Sequence, residues 1–404
     1  MRFLLYSHDG LGLGHVRRNL AIAAALVDAA PDACVLLATG ADEVNSLGVS
    51  PQVEVLKLPG LRKVANERYA ARRLQILSAD IWRLRTDLLT TTARSYCPDV
   101  ILADKHPLGA GGELVGALET LKRSGGRAVL GLRDILDDPA TVRREWDAHG
   151  LRARIEAYYA RVIVYGQRAV LDPVQEYQFS AALAERTHFC GYVLNPHNPT
   201  APSSDYPLAL TGSQRTRPVV LATAGGGEDG FSMLSNFIRA AVGAPWDGVV
   251  VAGPRASAGE RAALEKLATD AGVAFNAFVP GVARWFDLVD AVVCMGGYNT
   301  LAEVLSRGCT TVCVPRTVPR TEQLIRARAF ARLGLLRVVE PDQFDGDTLG
   351  REIGTALGES RAAVLGRTEA ALDFDGARRA ASALIDVAQP SRLDQPVAVS
   401  VLAS

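Results

Sequence analysis

The 404-residue sequence lacks several features that would place it in a common functional class. It has no net charge, since 44 basic residues balance 44 acidic ones, and this argues against nucleic-acid binding through bulk electrostatics. No apolar run approaches the roughly 18 residues of a membrane span, and the short apolar start that ends at His8 is too short for a secretory signal. We therefore expect a cytoplasmic protein.

Metal-binding cysteine patterns are also missing. The six cysteines are scattered and no Cys-x-x-Cys pair occurs, so we expect buried, reduced thiols rather than a metal site. Hydrophobic residues make up 48% of the chain, which excludes disorder as its main state. The length of the chain favours two domains of ordinary size.

Short apolar strands alternate with amphipathic helices, a pattern that predicts parallel sheets with helices on both faces. In the first half the predicted strands are 3–7, 34–39, 53–58, 100–104, 127–132 and 161–165, and the predicted helices lie at 16–29 and around 70–95. In the second half the predicted strands are 218–223, 248–252, 273–279, 291–295, 310–315 and 336–339. Predicted helices there cover 231–242, 259–271, 299–307 and 321–333, followed by a helical region over 347–388.

A stretch rich in proline, serine and threonine separates the two halves, as an interdomain linker does. We therefore predict an α/β protein of two doubly wound, Rossmann-like domains with a deep cleft between the carboxyl ends of their strands. The predicted segments are a first domain at 1–195, a linker at 196–217, a second domain at 218–370, a helix crossing back at 371–388 and a flexible tail at 389–404.

Two turns of the second domain have the composition of phosphate-binding loops. Gly225, Gly226 and Gly227 follow a strand and open a helix, where backbone amides and the helix N-terminus attract an anion. A tight turn without a ligand is the alternative explanation for these three glycines.

The stretch CMGGYNTLAEVL is the second such turn. Gly296 and Gly297 end a buried strand, and Asn299 and Thr300 suit a helix start whose amides can hold a diphosphate. Glu303 follows a turn later and has the charge and reach to accept two ribose hydroxyls. The alternative is that Glu303 serves its own helix in a capping box.

A third strand end supplies Glu322 and Gln323 at the start of the following helix. An acid next to an amide can bind adjacent sugar hydroxyls, although an acid in a first turn also complements the helix dipole. Three such sites at the strand ends of one domain favour a nucleotide-sugar site.

At these residues the sequence resembles GT-B glycosyltransferases, especially the MurG-type N-acetylglucosaminyltransferases and related nucleotide-sugar transferases. Plant and antibiotic glycosyltransferases carry a donor signature His-Cys-Gly-Trp-Asn-Ser-x-x-Glu, whose later residues are matched here by Gly297, Tyr298, Asn299, Thr300 and Glu303. Met295 stands at the position of the diphosphate-binding histidine, so the resemblance implies that phosphate binding depends more on backbone amides.

The resemblance extends to two further segments. It implies that Glu322 and Gln323 hold hydroxyls of the donor sugar, and that the backbone around Val279 reads the base. The combination of GLGHxRR and PRxEQLIRA is most similar to a group of predicted glycosyltransferases, for which the family does not imply an acceptor.

The first predicted turn, DGLGLGHVRR, does not match a dinucleotide fingerprint, because its glycines run G-x-G-x-G and no acid ends the second strand. In the family it resembles, this loop carries glycines and then a histidine. We therefore predict that Gly12, Gly14 and Arg17 lie on the acceptor side and that His15 is the general base. A role for His15 in capping the loop or in binding the acceptor remains open, and His8 is the competing base.

A base histidine needs a carboxylate to orient it. Asp104, at the end of another strand of the first domain, is the predicted partner of His15, with Asp9 as an alternative. Asp134 is a third candidate, which we expect to shape the acceptor pocket. For each of these acids, a polar residue that merely ends a strand is the alternative.

The segment 61–85 carries seven basic residues against Glu67 and Asp80. It suits a phosphorylated acceptor or peripheral contact with a lipid headgroup surface. The solvated face of a helix is the other explanation for its composition.

These observations predict an inverting, metal-independent glycosyltransferase that uses a nucleoside diphosphate sugar, with uracil as the favoured base and no cofactor. Metal independence follows from the resemblance and from the absence of an Asp-x-Asp motif at the predicted donor turns. Expected partners are the nucleotide sugar and a hydroxyl acceptor, in a monomer or homodimer that binds no nucleic acid. The alternatives are a nucleotide-sugar epimerase or hydrolase on the same fold, and a non-catalytic nucleotide-sugar-binding protein.

Overall fold

The computed structural model describes residues 1–8, 13–42, 44–65, 68–194, 216–227 and 229–389. Its first half contains strands β1 (Arg2–Ser7), β2 (Cys34–Thr39), β3 (Val53–Lys57), β4 (Leu61–Ala65), β5 (Arg68–Ala71), β6 (Val100–Asp104), β7 (Arg127–Arg133), β8 (Tyr159–Tyr165) and β9 (Thr187–Phe189). The helices of this half are α1 (Gly14–Ala29), α2 (Ser78–Tyr96), α3 (Val115–Arg123), α4 (Pro139–Ala148), α5 (Leu151–Tyr158), α6 (Pro173–Glu176) and α7 (Ala181–Glu185). Seven strands form one parallel sheet in the order β3-β2-β1-β6-β7-β8-β9, so the order reverses between β1 and β6.

The second half repeats this plan. It contains strands β10 (Val219–Thr223), β11 (Asp247–Val251), β12 (Ala274–Asn276), β13 (Ala291–Cys294), β14 (Thr310–Cys313) and β15 (Arg337–Val338). Its helices are α8 (Phe231–Ala241), α9 (Ala258–Ala271), α10 (Tyr298–Leu305), α11 (Glu322–Arg332), α12 (Gly346–Ala356) and α13 (Arg361–Ala371). The strands are parallel in the order β12-β11-β10-β13-β14-β15, which reverses between β10 and β13. The predicted pair of doubly wound, Rossmann-like sheets is confirmed.

Apolar side chains cover both faces of each sheet. In β1, Phe3 and Leu5 join one core while Leu4 and Tyr6 join the other, as alternation along a strand requires. Strands covered on both faces are continuous apolar runs, which is why β10 and β13 are buried at every residue. The core on the α1 side of the first sheet continues without a break into the second half.

The last helix, α14 (Gly376–Ala388), returns to the first half of the chain. Arg161 donates a hydrogen bond to the carbonyl of Ala383 at 3.1 Å, and Arg127 donates to the carbonyl of Val387 at 3.3 Å. The predicted linker at 196–217 lies outside the described residues apart from its last two, and so does the predicted tail at 389–404 apart from its first residue.

The long helix predicted in the first half is shorter than expected at its N-terminal end. The helix expected around 70–95 begins only at Ser78, and β4 and β5 form an antiparallel hairpin before it. Leu61 and Ala71 pair across this hairpin and are both buried. Strands of four or five residues are too short for their alternation to stand out from a helical pattern.

The cysteine prediction is corrected in part. Four cysteines are buried and free, but Cys34 and Cys97 are exposed.

No helix in the described part of the chain is long and apolar enough to span a membrane.

Candidate active site between the two sheets

The carboxyl ends of β1 and β6 lie side by side where the order of the first sheet reverses, the position at which doubly wound sheets bind ligands. Alternation along β6 puts Asp104 on the same face as Val100 and Leu102, which is the face that α1 covers. Helix α1 begins at Gly14, directly after the turn that follows β1. His15, in its first turn, therefore meets Asp104.

His15 and Asp104 form a buried pair. His15 Nδ1 lies 3.0 Å from Asp104 Oδ2, and Asp104 is fully buried while 12% of the His15 side chain is exposed. Arg18 NH2 lies 2.7 Å from each oxygen of Asp104, and the Asn19 amide donates to Oδ2 at 3.2 Å. Four contacts from three residues of α1 thus fix this carboxylate.

The charges determine which nitrogen of His15 is free. Although burial opposes ionisation, Arg18 and His15 hold the pKa of Asp104 well below its usual range, so Asp104 is an ionised acceptor. Nδ1 faces both Asp104 Oδ2 and, at 3.0 Å, Arg18 NH2; we assign the proton to Nδ1 because the ionised carboxylate can only accept, and this leaves the lone pair on Nε2. Burial lowers the pKa of His15 to about 4, and Asp104 opposes this only in part because Arg18 neutralises it. The imidazole is therefore neutral at pH 7 and able to accept a proton.

His8, the competing base, lies on the other face of the first sheet. Its Nε2 is 3.2 Å from the Tyr69 hydroxyl, and its ring contacts that of His106 edge-on at 4.6 Å. Only 4% of His8 is exposed, its Nδ1 has no hydrogen-bond partner, and burial lowers its pKa well below the usual value. No carboxylate orients His8 by a hydrogen bond in the described part of the chain, which distinguishes it from His15.

The predicted phosphate loops of the second half meet each other. A Cβ on Gly225 would lie 3.3 Å from Thr300 Oγ1, so the loop after β10 touches the first turn of α10. Gly226 and Gly297 have open space where a side chain would be. Gly296 has a φ of +81°, and a Cβ there would lie 3.0 Å from Cys313 Sγ, so a side chain at this position would be strained and crowded.

The two halves make contact at the starts of α1 and α10. The Asn299 amide nitrogen lies 3.5 Å from the carbonyl oxygen of Gly14. Arg17 forms an ion pair with Glu303, the residue predicted to bind ribose. Glu303 thus pairs with a residue of the first domain. The start of α10 has no side-chain cap, so Glu303 does not form a capping box.

Glu322 and Gln323 begin α11 and share one neighbour. Arg316 NH2 lies 3.3 Å from Glu322 Oε1, and the backbone amide of Arg316 donates to Gln323 Oε1 at 3.2 Å. Glu322 is 5% exposed, and its second oxygen is enclosed without a hydrogen-bond partner. Arg316 also pairs with Asp229 at 2.7 Å.

Asp134, which we expect to shape the acceptor pocket, forms a buried ion pair with Arg326. Its oxygens accept hydrogen bonds from Arg326 Nε at 2.8 Å and NH2 at 2.7 Å, and both side chains are buried. The backbone amide of Ile135 and the hydroxyl of Tyr192 also donate to it. Asp134 therefore joins the two domains, and its oxygens are already engaged rather than open to an acceptor.

The remaining predicted positions are more peripheral. Val279 is half-buried and packs against the core beside the short helical segment Val282–Asp287, in a loop where the strand predicted over 273–279 has already ended. Gly12 and the alternative Asp9 lie outside the described residues. In the basic segment, Leu74, Ile76, Leu77 and Leu84 are exposed large apolar residues.

Sequence reasoning missed Arg18, Arg326 and Arg133. Arg18 follows His15 by three residues and Arg326 follows Glu322 by four, so each lies on the same helix face as a selected residue. That spacing was the available signal. Arg133 precedes Asp134 at the end of β7, and nothing in its sequence context marks it.

The fold matches solved glycosyltransferase structures over almost the whole chain. A UGT transferase from Siraitia grosvenorii in complex with UDP aligns with a TM-score of 0.66 and 13% identity, over 96% of this chain and 100% of that one. The glycosyltransferase VinC in complex with dTDP gives 0.65 and 18% identity, over 96% and 99%. MurG from Acinetobacter baumannii gives 0.62 and 12% identity, over 96% and 100%.

No family model matches the chain, and no curated protein matches it significantly. At identities this low, similarity to solved structures establishes the fold. The chain has the GT-B fold of these glycosyltransferases, in which two Rossmann-like domains face a shared cleft.

Proposed function

We propose that this protein is an inverting, metal-independent glycosyltransferase that moves a sugar from a nucleoside diphosphate sugar to a hydroxyl acceptor. The observation that carries the proposal is the meeting of α1 with α10. It brings the His15–Asp104 pair of one domain next to the predicted donor loops of the other. A base and a donor site on facing domains are what direct transfer between two bound substrates requires.

The chemistry follows from the protonation state of His15. Its Nε2 lone pair accepts the proton of the acceptor hydroxyl while Asp104 stabilises the imidazolium that forms. The acceptor oxygen attacks the anomeric carbon and the nucleoside diphosphate leaves from the opposite side, which inverts the configuration. Amides around Gly226 and Gly297 and the start of α10 offset the charge on the departing diphosphate.

The residues at the donor turns support the assignment of the donor. Glu303 suits the ribose, and Glu322 with Gln323 suits the sugar hydroxyls. The Siraitia structure holds UDP and the VinC structure holds dTDP, so a pyrimidine nucleotide is the natural first probe. We favour UDP. The proposal includes no metal, because the predicted donor turns lack an Asp-x-Asp motif.

Calorimetric titration with UDP, dTDP and a set of UDP-sugars tests this proposal. We expect at least one pyrimidine nucleotide to bind, and its sugar conjugate to remain intact until a hydroxyl acceptor is added. Turnover of the UDP-sugar without acceptor would instead indicate the epimerase or hydrolase. Binding without transfer to any acceptor in a broad panel would favour the non-catalytic binding protein.

Peripheral membrane contact of the segment 61–85 stays a prediction. Leu74, Ile76 and Leu77 are exposed there, and the side chains of Arg73 and Arg83 are 79% and 71% exposed. Cosedimentation with anionic and neutral vesicles tests this contact, and light scattering distinguishes the predicted monomer from the homodimer.

A further inference from the structure

Arg133 is a guanidinium in the cleft that lacks a partner of its own. It ends β7, its Nε is enclosed by protein, and that nitrogen has no hydrogen-bond partner. In the described part of the chain, no carboxylate lies within ion-pair distance of Arg133, and no oxygen accepts a hydrogen bond from it.

Its two arginine neighbours each pair with a carboxylate, although the Nε of Arg18 also lacks a hydrogen-bond partner. Arg18 is held by Asp104 and Arg326 by Asp134, in buried ion pairs with contacts of 2.7 Å. Burial lowers the pKa of Arg133, and although Glu322 opposes this shift, repulsion from Arg326 and Arg18 adds to it. Arg133 is half-buried, and a half-buried guanidinium that is repelled by two other cations and has no carboxylate of its own is a favourable position for an anionic ligand.

The position of Arg133 is set by alternation along β7. Arg133 shares a face with Gly131, where an added Cβ would clash with the Tyr165 hydroxyl, and Arg18 stacks over the Tyr165 ring at 4.7 Å. On the other side, Glu322 is the carboxylate that acts most strongly on Arg133, and Glu322 Oε2 has no partner either. Arg133 therefore shares the face of β7 that is next to Tyr165 and Arg18, and it is near enough to Glu322 for their charges to interact.

We propose that Arg133 binds an anionic group, a carboxylate or a phosphate, carried by one of the two substrates close to the transferred sugar. The proposal rests on the proposed function, because it places the anion beside the reacting sugar. A guanidinium presents two parallel N–H groups to such an oxyanion, a geometry that a neutral hydroxyl cannot match. Either an acidic donor sugar or an acidic acceptor supplies this chemistry.

The test compares Arg133→Met and Arg133→Lys with a matched control, Arg123→Met. Arg123 is an exposed arginine at the end of α3, just before the start of β7, so it lies at the opposite edge of the same sheet. Calorimetry with UDP, UDP-glucose and UDP-glucuronic acid examines the donor as the source of the anion. Titration of inorganic phosphate onto the UDP complex examines a separate, acceptor-side anion.

We expect UDP to bind all four proteins equally. If the donor carries the anion, the wild type prefers UDP-glucuronic acid to UDP-glucose by tenfold or more. If the acceptor carries it, the UDP complex binds phosphate. In either case Arg133→Met abolishes this preference or this phosphate binding. Arg133→Lys retains part of it, and Arg123→Met retains all of it.

Four results would overturn the proposal. One is a wild type that shows neither effect, and another is an effect that survives in Arg133→Met. A third is an Arg133→Met protein that loses UDP affinity, which would assign the guanidinium to the donor diphosphate. The last is an Arg133→Met protein with a markedly lower melting temperature, which would show that Arg133 stabilises the fold rather than binding a ligand. A wild type that binds no nucleotide at all contradicts the proposed function instead.

Discussion

Glu303 is the residue at which the first domain and the predicted ribose compete. Its carboxylate pairs with Arg17 across the cleft, so a bound ribose must share or displace that guanidinium. We expect Glu303→Ala to lose charge-assisted hydrogen bonds worth about 1.5–3 kcal/mol each, and to weaken UDP binding at least tenfold. We expect Arg17→Ala to leave UDP affinity unchanged or higher. Equal UDP affinity in wild type and Glu303→Ala, by calorimetry, would remove Glu303 from the donor site.

The pKa of His15 makes a prediction about the pH profile. The neutral imidazole is the active base, and burial lowers its pKa to about 4, so the base stays unprotonated until the pH falls towards that value. A histidine with the ordinary pKa of about 6.5 would lose about tenfold in activity at pH 5.5. We expect kcat/KM for the acceptor to stay nearly flat from pH 7 to 5.5, a range in which circular dichroism can verify folding. A tenfold decline over that range would contradict the neutral, buried base.

The sequence predicted those site residues that stand at a recognisable strand end or helix start. His15 and Asp104 were predicted from a strand end and a helix start, and the structure brings them to 3.0 Å. Arg18 and Arg326 were missed because their ion-pair partners lie 86 and 192 positions away, and helix spacing alone does not identify a partner at that separation. The ion pair of Asp134 with Arg326 could not be predicted, because Arg326 lies in the other domain.

Helix α11 depends on a residue of the other domain for its start. Asp137 Oδ1 accepts hydrogen bonds from the Thr321 backbone amide at 2.9 Å and from its hydroxyl at 3.1 Å, at the position that caps α11. We expect Asp137→Ala to cost about 1 kcal/mol of stability for each hydrogen bond that it removes. We also expect weaker discrimination between UDP-sugars, because Glu322 and Gln323 begin this helix.

Asp137→Asn is the matched control, since its amide oxygen still accepts the two hydrogen bonds from Thr321. Melting temperature and competition between two UDP-sugars measure the two effects. If Asp137→Ala leaves the discrimination between UDP-sugars unchanged, the contact between Asp137 and Thr321 does not influence the donor site.

At the scale of elements, the parallel strands were predictable and the hairpin was not. β10 and β13 are buried at every position because both their faces are covered, and their sequences are almost entirely apolar. β4 and β5 lie outside the two main sheets, and the basic residues of the segment 61–85 concealed them. The strand predicted over 273–279 shrinks to Ala274–Asn276 at the edge of its sheet.

At the scale of the whole molecule, ion pairs hold the two domains together. Arg320 pairs with Asp137 at 3.0 Å and with Glu145 at 3.2 Å, in addition to the pairs Arg326–Asp134 and Arg17–Glu303. We expect Arg320→Met to open the cleft and to increase the radius of gyration without ligand, and saturating UDP-sugar to reverse the change. Small-angle scattering measures this. Identical radii for wild type and variant, with and without UDP-sugar, would contradict a hinge.

The central claim, that His15 is the base of a sugar transfer, is tested most directly by the turnover of His15→Ala. The assay follows acceptor-dependent release of UDP from the UDP-sugar that binds best, at saturating acceptor. His149→Ala, which changes an exposed histidine, is the control. We expect His15→Ala to lose about 10²–10⁴ in kcat while the Kd for UDP stays the same, because the donor loops lie in the other domain. A folded His15→Ala protein with near wild-type kcat would contradict the account and reassign the base to His8.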